Sequence, residues 1–256
     1  MMLFEPIELY QGYGIFLRAG AFFFLMPFLS SPAPIMVRTA ASLFMAFTFV
    51  AITVPSPDLV VPSHLVEMAV FSVREVLIGA LIGFSVQFIF HLCHLAGQMI
   101  SMEMGLMQSN LFNPLTRQQE TVLSTGLTML VVVLIFVTQT HHLLLFAFKR
   151  SLELMPIGAV INKTTVVETL VVDSGKIFMI ALQMAAPLIA VNYIVTLSFA
   201  ILGRAVPGMN ILILSFGVRI FAGFSALILV FVLIVQFLIG MIHDSPERML
   251  QFLPFR

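Results

Sequence analysis

The sequence is poor in charge and nearly free of cysteine. Asp, Glu, Lys and Arg make up 9% of its 256 residues, against about a quarter in soluble domains. Net charge is zero and no run of basic residues occurs, so neither a nucleic-acid partner nor an anionic-lipid anchor is expected. The single cysteine, Cys93, excludes an intrachain disulfide and reads as a small buried hydrophobe in an apolar run. Glu5 and Glu8 stand where a cleaved signal peptide would carry basic residues, so none is expected. Catalytic signatures are missing as well: there is no H-E-x-x-H and no G-x-S-x-G. His91-x-x-His94 lies on one helical face but lacks further ligands at suitable spacing, and Gly158 to Thr164 imitates a P-loop ending without its second glycine or a preceding strand. No catalytic, cofactor or metal site is expected.

What is present is apolar. Hydrophobic residues make up 60% of the chain and mean hydropathy is +1.10, the composition of an integral membrane protein. The apolar runs leave no stretch for a separate soluble domain, so residues 1–256 are read as one domain. Six segments emerge, at about 15–29, 35–54, 68–95, 122–139, 178–201 and 218–242, broken at Ser30 to Pro34, Pro55 to Pro57, Pro156 to Gly158 and Gly203 to Gly208. The first two read as a helical hairpin. Between the fourth and fifth, Leu144, Phe148 and Leu152 share a face beside Lys149, Arg150 and Glu153, which suits an interfacial or interhelical element. Residues 159–176 read as a polar connector.

Four arginines, Arg18, Arg38, Arg74 and Arg219, fall within or at the start of apolar segments. A charge at a bilayer centre costs about 2.5–3.5 kcal/mol, so such residues are expected to face protein or water. The stretch from Met68 to Pro114 concentrates the issue. Met68 to Leu95 alone would make a helix of about 42 Å, longer than a hydrocarbon core of about 30 Å. Arg74 and Glu75 are candidates for intersubunit or interhelix pairing, with an intrachain salt bridge as the plainer alternative. Gly79-x-x-x-Gly83 has the spacing that lets helix backbones approach. Met99, Met102, Met104 and Met107 then crowd one short region, either as gap-filling core or as a deformable lining that seals a pore.

REVLIGALIGFSVQFIFHLCHLAGQMISMEMGLMQSNLFNP, followed downstream by HHLLLFAFKRSLELMPIG, resembles the FliR/SctT family of type III export-gate proteins. PFLSSPAPIMVRTAASLFMAF near the start and GRAVPGMNILILSFGVRIFAG near the end are similar to the family as well, although Gly208 and Gly217 stand where Gln and Pro are usual. The resemblance implies an all-α membrane protein of helical hairpins and broken helices, built for packing in a hetero-oligomeric gate with FliP and FliQ, with FlhB at its entrance. It implies a gate in the bacterial inner membrane, at the flagellar basal body, that passes unfolded flagellar substrates. It also implies a plug loop at about 103–119, with Glu103, Met104, Gly105, Leu106, Met107, Phe112, Asn113 and Pro114 as its matching positions. A small secondary transporter with a midplane site between broken helices is the alternative from another class; Glu75, nearly alone as an intramembrane acid, counts against it.

Overall fold

A computed structural model describes residues 6–27, 34–53, 64–108, 121–159, 163–206, 208 and 210–251. Among them every regular element is helical: α1 (Pro6–Leu25), α2 (Ile35–Val50), α3 (Leu65–Glu103), α4 (Val122–Val137), α5 (Thr140–Leu154), α6 (Lys163–Ala205), α7 (Ile211–His243) and α8 (Ser245–Gln251), with one 3-10 turn at Leu106–Gln108. Three stretches, Leu65–Glu103, Leu170–Ala205 and Ile213–Leu250, are long and apolar enough to cross a membrane; α4 with α5 makes a fourth if the pair counts as one broken span. The two N-terminal segments are different in kind. α1 carries Glu8 and Arg18, and α2 is only 16 residues long.

The connector expected from the sequence at residues 159–176 is helix from Lys163 onward. Residues 163–176 form the first turns of α6; the stretch contains no proline, and its single glycine, Gly175, costs a helix only about 1 kcal/mol. Likewise α7 runs unbroken through Gly217, and α6 through Pro187.

The chain forms two compact units. The first comprises residues 1–88, 139–173 and 243–256. Here α1 and α2 pack along each other, and α8 packs on α5. Phe22 and Phe148 are fully buried with ring centroids 5.3 Å apart, and Phe49 stands 5.9 Å from Phe148. Leu144, Phe148 and Leu152 face inward, while Arg150 and Glu153 are exposed, the arrangement their spacing predicts. An apolar groove of about 730 Å³ lies between α1 and α2, lined by Leu9, Gly12, Phe16, Leu43 and Phe47 among others. The second unit comprises residues 89–138 and 174–242. Its core includes Leu92, Cys93, Ala96, Ile100, Met104, Val131, Leu188 and Leu238.

Candidate functional site

Polar and special-geometry residues converge in both units. In the first unit they meet at a buried ion pair. Arg18 on α1 and Glu75 on α3 are both fully buried, with Arg18 Nη2 2.7 Å from Glu75 Oε2, and Arg18 Nε donates to the same oxygen at 2.8 Å. The guanidinium also donates through Nη1 to the carbonyls of Met155 at 2.8 Å and Ser151 at 3.3 Å. Those carbonyls sit at the C-terminal end of α5, which carries partial negative charge; the Ser151 carbonyl also accepts the Met155 N–H at 2.9 Å. One arginine therefore pairs a carboxylate and caps a helix.

Glu75 is satisfied on its other side, where Oε1 accepts from the Gly158 N–H at 2.8 Å. Arg74 points elsewhere on α3 and donates through Nη1 to the Gly158 carbonyl at 3.1 Å. Gly158 has φ 90°, a left-handed conformation that a side chain disfavours, and there it offers both backbone groups to α3. Nearby, the Tyr10 ring meets Phe71 in a tilted contact with centroids 4.4 Å apart. Burial, and secondarily the Glu75 carboxylate, pushes its phenol up to about 12, so Tyr10 is neutral at any physiological pH.

Gly79 and Gly83 set the distance between α1 and α3. A Cβ on Gly79 would overlap the Arg18 carbonyl and lie 2.9 Å from Ala21 Cβ; one on Gly83 would lie 2.8 Å from Leu25 Cβ and 3.2 Å from the Phe22 carbonyl. The two glycines thus bring the α1 backbone close enough for Arg18 to reach Glu75.

The second place is where the chain leaves α3 and returns to α4. Glu103 ends α3, Met104 and Gly105 form a turn, and Leu106 and Met107 lie in the 3-10 turn. Phe112, Asn113 and Pro114, expected in the same loop, lie outside the described residues. The two sides of the loop are joined at its base. Ser101 Oγ donates to Thr121 Oγ1 at 2.8 Å, and both residues are buried. Thr121 is also the N-cap of α4: its hydroxyl accepts from the Ser124 N–H at 3.2 Å, and the Ser124 hydroxyl accepts in return from the Thr121 N–H at 3.1 Å. One turn back, Gly97 lies so close to α4 that a Cβ would overlap Ser124 Cα. The loop thus stands on a neck of two helices held together by Gly97, Ser101, Thr121 and Ser124.

Sequence reasoning singled out none of these four. Thr121-x-x-Ser124 is a weaker capping signal than the Ser/Thr-x-x-Glu pattern, and Ser101 and Gly97 have no visible partner until the fold brings α4 alongside. His94 Nε2 lies 3.0 Å from Gln98 Nε2, and among the described residues no group of three His, Cys, Asp or Glu comes together.

Comparison with known proteins matches residues 9–245 to the model of bacterial export proteins, family 1. The flagellar biosynthetic protein FliR of Caulobacter vibrioides is 28% identical over 223 residues, spanning 87% of this chain and 88% of its own length. FliR of Bacillus subtilis is 24% identical over 218 residues, spanning 84% and 83%, and FliR of Escherichia coli 28% over 201 residues, spanning 78% and 76%.

Proposed function

Because the chain belongs to the bacterial export proteins, family 1, we propose that it is a structural and gating subunit of the flagellar type III export channel, not an enzyme. In this reading it assembles with FliP and FliQ in the bacterial inner membrane at the flagellar basal body, with FlhB at the entrance, and passes unfolded flagellar subunits. Residues 1–256 act as one membrane domain whose six apolar segments pack as hairpins against those partners. Relatives named as flagellar biosynthetic proteins over most of the chain support the assignment.

The observation that carries the gating role is the neck. A loop that must close a conduit and yet move needs fixed ends and a deformable middle. Ser101, Thr121, Ser124 and Gly97 fix the ends. Beyond them the chain supplies Met104, Leu106, Met107 and Phe112, apolar side chains that exclude water, and Gly105, which takes φ 75° at the turn. Asn113 and Pro114 complete the matching positions, with Pro114 stiffening the way out. Deleting residues 104–114 should raise ion and small-solute leakage through the assembled complex while leaving its assembly intact. Unchanged leakage in an intact complex rejects the gating role.

A further inference from the structure

Of the arginines that fall within or at the start of apolar segments, the chain compensates Arg18, Arg38 and Arg74. Arg18 pairs with Glu75, Arg74 donates to the Gly158 carbonyl, and Arg38 stands over the Phe24 ring, 5.5 Å from its centroid. Arg219 on α7 is different. Its Nε is buried without a hydrogen-bond partner among the described residues, and no ion pair or other hydrogen bond from those residues reaches its guanidinium. A permanent charge and its N–H donors are thus left without an acceptor. The place of Arg219 on the helix says which way it faces. Ser215 and Gly223, one turn to either side, are buried, as is Ala226, so Arg219 lies on the stripe that α7 turns toward the rest of the second unit. Phe221, 76% exposed, is rotated about 200° from it. Arg219 itself is only partly buried, so a group from outside the chain can reach the guanidinium.

We propose that Arg219 is an anchor for a partner subunit: its guanidinium receives an aspartate or glutamate side chain of that subunit when the complex assembles. The inference rests on the assembly proposed above and adds a charged contact to it. A carboxylate fits because it neutralises the charge and accepts two donors side by side. Carbonyls alone would satisfy donors and leave the charge; within this chain, Arg18 takes both a carboxylate and two carbonyls. A lipid phosphate is the poorer occupant. Lipid meets a helix on its outward face, and Arg219 is on the opposite one, with its Nε covered by protein instead of extended toward a membrane edge. Before the partner arrives Arg219 is an uncompensated charge, and afterwards it is a paired one, so it favours the assembled state over the free chain.

The free chain and the complex should respond to the same substitution with opposite signs. In the full chain purified in detergent without partners, Arg219→Met removes a charge that nothing compensates, so the melting temperature should equal or exceed that of the parent, whereas Arg18→Met, which strips Glu75 of its partner, should lower it. A clear fall with Arg219→Met means that Arg219 has its partner within the chain, and overturns the proposal. In the complex co-expressed with its partner subunits, Arg219→Met and Arg219→Glu should cut recovery of those subunits by about tenfold or more, Arg219→Glu the more severely because like charges then meet, while Arg219→Lys keeps more than either. Unchanged recovery overturns the anchor. Arg219→Lys also identifies the carboxylate: a membrane-permeant carbodiimide activates a carboxyl group, and an amine in contact with it displaces the urea to leave an amide bond. Arg219→Lys should become joined in this way to a partner subunit, and Arg219→Met treated alike should not. A bond to a carboxyl of this chain, a bond to a phospholipid phosphate, or no product at all overturns the proposal. The parent chain separates the two ideas. If it recovers no partner subunits, the assembly itself is wrong; if it recovers them and Arg219→Met does equally well, only the anchor is wrong.

Discussion

Arg18 illustrates how a charge is tolerated inside so apolar a chain. Its guanidinium meets one carboxylate and two helix-end carbonyls, and Glu75 meets Arg18 and a backbone N–H. Each charge therefore compensates the other's loss of water. Removing one partner leaves a bare buried charge, which costs about 3–5 kcal/mol, whereas replacing both with apolar residues of similar size is often close to neutral. Glu75→Ala or Arg18→Ala alone should sharply lower the thermal stability of the purified protein, and Arg18→Met with Glu75→Leu should recover most of the loss. A double variant as unstable as the two single losses added together argues against the pair. That Glu75 needs a protein neighbour was legible from its position in an apolar run. Its partner was not. Adjacent residues on a helix point about 100° apart, which is why Arg74 serves the Gly158 carbonyl, and Arg18 lies 57 positions back.

At the scale of an element, α4 begins where the loop ends, and Thr121 serves both. Its hydroxyl caps the helix and accepts the hydrogen bond from Ser101. Losing an N-cap costs about 1–2 kcal/mol, so Thr121→Ala should open the first turn of α4 and detach it from α3. Amide exchange in residues 122–125 should then accelerate about 5- to 30-fold, with the middle of α4 unchanged; exchange rising evenly along α4 would mean that Thr121 stabilises the unit and not the neck. The start of α4 was legible within a residue because an apolar run begins there. The end of α3 was not, since Gly97 and the methionines read as loop. Gly97 is in fact helical because its missing side chain admits Ser124, a reason that exists only once the second helix is in place. The polar first turns of α6 likewise gave no local signal of helix.

Over the whole molecule, hydropathy finds apolar segments but does not say what covers them. The three long helices differ: the apolar window of α3 is 61% buried within the chain, that of α6 17% and that of α7 28%. On α7, Phe221, Ile228 and Val232 share a face beside Leu229 and are 76%, 75%, 61% and 81% exposed respectively. Lipid or a partner subunit could cover this face, and the two respond differently to truncation. Lipid tails flow into the space that a lost side chain leaves, whereas a packed protein interface keeps a cavity, at about 2–5 kcal/mol for a large residue cut to alanine. The proposed assembly with partner subunits predicts the second response. Phe221→Ala and Leu229→Ala should reduce recovery of the chain with its co-expressed partners by tenfold or more, about 1.4 kcal/mol, while leaving its level in the membrane unchanged. Full recovery of both variants would assign this face to lipid and require the partners to dock elsewhere. A chain that instead purifies as a stable monomer and carries a small solute unaided would restore the transporter reading over the gate.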